Sequence, residues 1–458
     1  MNPTPHRDQA SSTQSPVENV QMNLDNTRSH ATLDEKKQDP RWGFTYPGVL
    51  TAIFFAITLM LHDIGLVIAV AIALVGLAMG LRDRSIAPHW LAWTREDTLL
   101  TLTFVSPFVF KLLAASWSVQ PALGLENAGW HVALVLWPLV LLFYARSRVQ
   151  LTLAWFDHLG AALLLTLASW AILGELQLGI PNPMYLGRFH LNSGVYSQMI
   201  AVLVVWALLA ATRPQASATR KGIHLVAWMA GMGLIVWMNR RIELLAALGA
   251  LAGIAYWRWG RGISGGRILL IALALALATL WGLFQFAPKF SLAVDEVQRF
   301  FATTQMSSSP LGSVDTRLEI YGRAWKAFWE NPWFGHGSGV RPYLLGEYAV
   351  VFNGDPSAFN HRHFHSMWVE MMMEGGIAWT AFACAALGFS LWIMVIKRYA
   401  QAPEISLALG AIWWVYGVEG LTSANLVYGA PTVFWVVSTA FLWQLKRQSV
   451  ISQSGQAR

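Results

Sequence analysis

The chain has 458 residues, of which 55% are hydrophobic and 12% charged, where soluble domains run at roughly 45–50% and about 25%. That balance argues against a soluble enzyme and for a polytopic membrane protein, and 24 tryptophans agree, because indole rings favour the two bilayer interfaces. The net charge of +7 does not point to nucleic acid, since basic residues of such proteins collect on cytoplasmic loops; the single cysteine, Cys384, excludes a disulfide framework or thiolate metal site within one chain and reads as packing.

Residues 1–40 are polar and lack the apolar core of a secretory signal, so they read as a disordered cytoplasmic tail. Beyond them a span needs about 20 mainly apolar residues. Candidates lie near 47–61, 64–81, 98–115, 129–144, 155–178, 191–211, 223–239, 242–257, 268–286, 376–396, 405–419 and 431–445. Only His62 and Asp63 separate the first two, which form a tight hairpin or one long segment. The expected fold is an all-α polytopic membrane protein with about twelve transmembrane helices. Residues 41–286 hold helices 1–9, residues 287–365 form one large helical outer loop, residues 366–447 hold helices 10–12, and 448–458 form a second cytoplasmic tail.

With the N-terminus inside, 21 of the 32 Lys and Arg fall on the tail, the even-numbered connections and the C-terminus. Seven more lie in the long loop, where charge has little influence on topology. This sets both termini inside. Lys111, Arg188, Arg240 and Arg241 then remain on the outward side as exceptions. Arginine beside a span can snorkel to lipid headgroups. Its planar fork is also the preferred partner of phosphate oxygens, and two or three arginines near a bilayer surface could hold a pyrophosphate. Glu243 stands three residues after Arg240 and could pair with it on a helix, which would leave Arg241 as the freer ligand.

The outer loop is too long for a structureless connector. Within "SVDTRLEIYGRAWKAFWENPWFGHGSG", Leu318, Tyr321, Trp325 and Phe328 recur at helical spacing, Asp315 can cap the start, and Asn331-Pro332 end the helix. Such a helix could lie on the outer interface or roof a cavity between spans. "GHGSG" reads as flexible, and His336 as a loop residue. A second short helix is expected upstream, in "SLAVDEVQRFFATTQ".

In "FNHRHFHSMWVEMMMEGG", His361, His363 and His365 alternate. On a strand they would share a face and could bind a metal, or all three could be interfacial surface residues. A third reading singles out His365. Ser366 is a good N-cap, so His365 would stand at the start of the helix entering span ten, where positive dipole charge disfavours imidazolium. A neutral imidazole there can accept a proton near pH 7. Glu370 and Glu374, four apart, share one helix face where one could orient the base or a sugar, and Gly375-Gly376 allows close packing or a kink.

These features together resemble the O-antigen ligases, within the wider superfamily of bacterial O-antigen polymerases and ligases. The large outer loop between the ninth and tenth spans matches. So does "RRIELLAALGA", in which Arg241 fits the family's Ser-Arg-x-x-Leu-Leu-Ala pattern, although Arg240 stands where serine is usual. "NPWFGHGSG" is similar to Pro-x-Phe-Gly-x-Gly, and His365 ahead of "EGG" is similar to a His-Asn pattern, with Ser366 in place of asparagine. The resemblance implies a GT-C-like, multi-pass glycosyltransferase acting on the periplasmic face of a bacterial inner membrane. Its donor would be O-antigen polysaccharide on undecaprenyl pyrophosphate and its acceptor a sugar hydroxyl of lipid A-core. It further implies His365 as catalytic base and Arg241, with Arg240, Arg188 and Arg317, as pyrophosphate ligands. Glu370 and Glu374 are expected in support. No Asp-x-Asp or Glu-x-Asp motif occurs, so arginines are expected to replace a metal, and no cofactor is expected. An O-antigen polymerase and a protein O-oligosaccharyltransferase would use the same carrier. A lipid or polysaccharide transporter would need ionisable residues near the middle of several spans, and few are present.

Overall fold

Lipid offers no partner to backbone polar groups, so a chain of this composition must satisfy them within helices. Every regular element among the described residues is helical. The computed structural model describes residues 46–60, 62–82, 93–146, 152–176, 193–238, 240–259, 313–340, 364–422 and 429–456, with the isolated positions 274, 295 and 298. The expected N-terminal tail, the span at 268–286 and the upstream loop helix lie outside them.

In chain order the helices are α1 Tyr46–Met60, α2 His62–Arg82, α3 Arg95–Ala115, α4 Pro121–Trp130, α5 Val132–Val135, α6 Trp137–Arg146, α7 Leu153–Glu175, α8 Ser193–Ala211 and α9 Ala218–Trp237. They continue with α10 Arg241–Trp259, α11 Ser313–Phe328, α12 Met367–Leu391, α13 Pro403–Glu419 and α14 Gly429–Gln456. Residues 46–82 form two helices packed on each other, not one long segment. Near the start of the stretch 129–144, expected as a single span, the chain bends by 47° between Pro121–Gly129 and Val132–Ala145. Among the described residues, Arg95–Ala115, Leu153–Gly174 and Met367–Gln401 are long and apolar enough to cross a membrane, with a fourth span if the bent pair counts as one. Gly48–Leu59, Ile64–Met79 and Tyr196–Ala211 are shorter apolar helices.

A helix apolar on every side belongs in the middle of a bundle. From Tyr196 to Ala210 every residue of α8 is buried, and α14 is nearly as enclosed between Ala430 and Trp443. Around this pair Phe55, Phe156, Trp206, Phe434 and Phe441 interlock edge-on and stacked, at centroid distances of 4.4–6.1 Å. Polar side chains join helices where no water competes. Thr51 and Tyr144 share a hydrogen bond of 3.0 Å, Trp137 Nε1 donates to Thr439 Oγ1 at 3.2 Å, and Trp206 Nε1 donates to the Ala408 carbonyl at 3.0 Å. The outer faces carry exposed Leu102, Leu113, Ile172 and Phe382. Cys384 is exposed beside them and does not pack internally as expected. Several apolar helices with apolar outer faces make this a membrane protein.

Candidate active site

The candidate side chains lie at the C-terminal end of α3, the N-terminal ends of α10 and α12, and the C-terminal end of α13. The organising piece is α11. Its Ile320, Ala324, Ala327 and Phe328 form a second small core with Val340, Phe364 and Met373 from the entry to α12. The small side chains at 324 and 327 let α11 approach closely. Tyr321 and Phe328 lie on the packed side as expected, whereas Trp325 is 55% exposed, so the buried face is rotated from the one expected. The helix also starts at Ser313, before the expected cap at Asp315.

The stretch after α11, expected to be flexible, is instead bolted to α12. His336 and Gly337 donate their backbone N–H groups to the carbonyls of Met373 and Glu374 at 2.8 and 3.1 Å. Ile377 and Ala378 donate in return to Pro332 and Trp333 at 2.8 and 3.2 Å. This exchange is possible because α12 breaks at Gly376, whose φ of 61° and ψ of −159° leave the helix. A Cβ there would stand 2.5 Å from the Trp333 carbonyl carbon, and one at Gly335, where φ is 66°, would stand 2.6 Å from the Glu374–Gly375 peptide. Only glycine fits both requirements. His336 is the loop residue expected, its Nε2 donating to the Ala327 carbonyl at 2.8 Å.

On the other side of α12, Phe110 of α3 stacks on Trp379 with centroids 3.8 Å apart. One residue on, Lys111 reaches Glu374 in a direct ion pair and approaches Glu370 to 3.9 Å, all three side chains being no more than 7% exposed. The two glutamates therefore do share a face, and that face is turned to a buried cation. Lys111 is not a loop charge that topology must explain. A single lysine within an apolar span is a functional-site signal in its own right.

His365 is half-buried and holds a φ of 55°. The left-handed region strains a non-glycine residue by about 1–3 kcal/mol and persists where surrounding contacts over-determine it. Here Tyr321 Oη donates to the His365 carbonyl at 3.1 Å, and the Phe364 N–H donates to Glu370 Oε2 at 3.1 Å. Ser366 caps α12, accepting from the Val369 N–H, as expected. The Met367 N–H and the Ser366 hydroxyl both donate to the carbonyl of Gly420, at 2.9 and 3.3 Å. Burial holds the Tyr321 phenol above its ordinary value, with Arg317 opposing the shift, so the phenol stays a donor.

Arg240 and Arg241 are half-buried at the start of α10. Glu243 is buried, accepts a 2.5 Å hydrogen bond from the Ser197 hydroxyl, and feels the charges of both Arg240 and Arg317. Arg240 thus acts on Glu243 electrostatically, as does Arg317 of α11. Glu419, fully buried at the end of α13, feels the charge of Glu243 in turn.

Residues 224–384 match the family model described as O-antigen ligase. The match supports a place for the chain in the O-antigen ligase superfamily. It spans about a third of the chain, from α9 into α12, and takes in Arg240, Arg241, Arg317, His365, Glu370 and Glu374. Members of this family are glycosyltransferase-like enzymes, which implies membrane-bound, lipid-linked saccharide substrates. No curated protein matches the chain.

Of the expected site residues, Arg240 and Arg317 both act electrostatically on Glu243. It ties His365 to Tyr321, one turn beyond Arg317, and sets Glu370 beneath the His365 turn. Arg241 opens the same helix as Glu243. Arg188, His361 and His363 lie outside the described residues, and among those described no three His, Cys, Asp or Glu side chains gather as a metal site. Sequence reasoning did not single out Tyr321 for its phenol, Lys111 for its partners, or Ser197 at all. A serine within an apolar segment carries no signal of the acid it meets 46 residues later.

Proposed function

We propose that this protein is an O-antigen ligase, transferring O-antigen polysaccharide from undecaprenyl pyrophosphate to a sugar hydroxyl of lipid A-core on the periplasmic face of the bacterial inner membrane. The observation that carries the reading is the hydrogen bond from Tyr321 to the His365 carbonyl, which fastens that backbone to α11, the helix of Arg317, whose charge, like that of Arg240, reaches Glu243. Arginines suited to a pyrophosphate and an imidazole suited to a proton thus belong to one neighbourhood.

In the proposed reaction Arg240, Arg241 and Arg317, with Arg188, hold the pyrophosphate and stabilise the charge that grows on it as the bond from the anomeric carbon to the phosphate oxygen breaks. The acceptor hydroxyl attacks the opposite face of that carbon and His365 takes its proton. Undecaprenyl pyrophosphate leaves and the anomeric configuration inverts. The supporting contacts around His365 fix the backbone that carries the imidazole, and placement errors of about 1 Å cost up to about a hundredfold in rate.

The absence of Asp-x-Asp and Glu-x-Asp motifs from the sequence supports a metal-independent transfer. Full activity after exhaustive chelation is the expected result, and loss restored by magnesium or manganese would refute it. The central test is the lipopolysaccharide of a host lacking the gene. A ligase predicts bare lipid A-core outside and long polysaccharide stranded on its carrier. Core capped by a single repeat would instead make the protein a polymerase, and an unchanged profile would shift the reading to protein glycosylation or transport.

A further inference from the structure

Lys111 has no part in the reaction as written, yet it is the most enclosed cation near the His365 turn among the described residues. Its surroundings are otherwise apolar: Phe104, Pro107, Leu134, Met367, Met371, Trp379 and Trp435 line a cavity whose few polar groups include Lys111, Glu370 and His131. Burying ions in such a setting is an inefficient way to stabilise a fold. Desolvation of a cation and two carboxylates offsets their attraction, and well-packed apolar side chains of similar volume are commonly as stable or more so. What a buried ion cluster does supply is a defined geometry, because each charge has a single acceptable position.

The geometry leads to His365 in three steps. Lys111 pairs directly with Glu374 and lies 3.9 Å from Glu370, which fixes the first two turns of α12 against α3. Glu370 uses its other oxygen to accept the N–H of Phe364 at 3.1 Å, closing the chain back over the helix N-terminus. Phe364 is fully buried, so the peptide that joins it to His365 has no freedom to drift. The left-handed conformation at His365 is strained. It is held from the loop side by Tyr321 and from the helix side by this carboxylate.

We propose that Lys111 is a positioning residue for His365: it fixes Glu370, and through Glu370 the Phe364 peptide and the left-handed turn that presents the imidazole. This rests on the reading of His365 as the base of glycosyl transfer. Lys111 touches neither substrate in this scheme, and no proton passes through it.

The test uses the full-length protein in proteoliposomes, with glycan-bearing undecaprenyl pyrophosphate from cells lacking the gene as donor and lipid A-core as acceptor. Lys111→Met should lower kcat by about ten- to a hundredfold with donor KM unchanged, and Lys111→Arg should recover much of the loss. In a His365→Ala background Lys111→Met should cost nothing more, because a residue that acts only through another is not additive with it. If Lys111→Met alone folds poorly, the triple variant Lys111→Met, Glu370→Gln, Glu374→Gln removes the charges together. It should match the wild-type thermal midpoint and still turn over slowly. Full turnover in either form, a loss carried by KM, or a further loss in the His365→Ala background would overturn the role of Lys111 while leaving the base assignment intact. Normal transfer by His365→Ala itself would overturn both.

Discussion

The two ends of the helical bundle set their charges differently. Away from His365, acids and bases close into direct pairs that tie helix ends together. Arg258 grips Glu404 with both nitrogens at 2.5 and 2.6 Å, Arg213 meets Asp157 at 2.6 Å, Lys397 meets Glu96 at 2.5 Å, and Asp97 accepts from Trp443 while pairing with Arg447 at 3.2 Å. At the His365 end, the charges of Arg240 and Arg317 act on a carboxylate already engaged by Ser197, and the buried lysine pairs with Glu374 while lying 3.9 Å from Glu370. Closed pairs are what a scaffold needs to hold its ends. Cations gathered from distant segments are what an anionic ligand needs, which fits the proposed site at the His365 end.

Substitutions can break or sharpen that contrast. The largest effect is expected for His365→Ala, with a loss of about 10²–10⁴ in kcat and unchanged affinity for the carrier-linked donor, read by transfer and binding assays in parallel. Next come Arg240→Ala and Arg317→Ala, each removing about 2.7–4 kcal/mol of transition-state stabilisation. Lysine should not restore them where the planar fork is used. Activity at wild-type level in both would end the pyrophosphate assignment.

Gly376→Ala attacks the hinge between the two motifs. With φ at 61° and backbone 2.5 Å from the added carbon, it should destabilise the protein by at least about 1–3 kcal/mol, seen as a lower thermal midpoint in detergent. At the opposite end Glu404→Gln should lower stability by about 1–3 kcal/mol, between exposed and buried ion pairs, with turnover per folded molecule unchanged. A kinetic effect there would erase the distinction between the ends.

The smallest effect is expected for Tyr321→Phe, which deletes one hydrogen bond to the His365 carbonyl, about 0.5–1.5 kcal/mol. Because burial raises the phenol above its ordinary value of 10.0, the neutral donor persists through the neutral range and weakens only in strong alkali. The wild type and Tyr321→Phe should therefore share the shape of their pH–rate profiles below pH 10, differing in height. An alkaline limb lost in the variant at lower pH would contradict this.

The lipid-adapted helical chain, the Ser366 cap, the shared face of Glu370 and Glu374 and the break at Gly375-Gly376 were all legible in the sequence. Each is a local property, decided by composition or by neighbours within one or two helical turns. Tertiary structure alone decided that "GHGSG" is held in place, because Gly335 answers to the backbone of α12 and Gly337 and Gly339 to the backbone at the end of α3 and the start of α4, and that Trp325 faces outward, because the alanines of α11 set the contact. It also decided that Lys111 belongs to Glu374 and that the charge of Arg317 reaches Glu243. Those partners are separated by many residues and share no periodicity. Only the packing of α3, α10 and α11 around the entry to α12 brings their charges within reach.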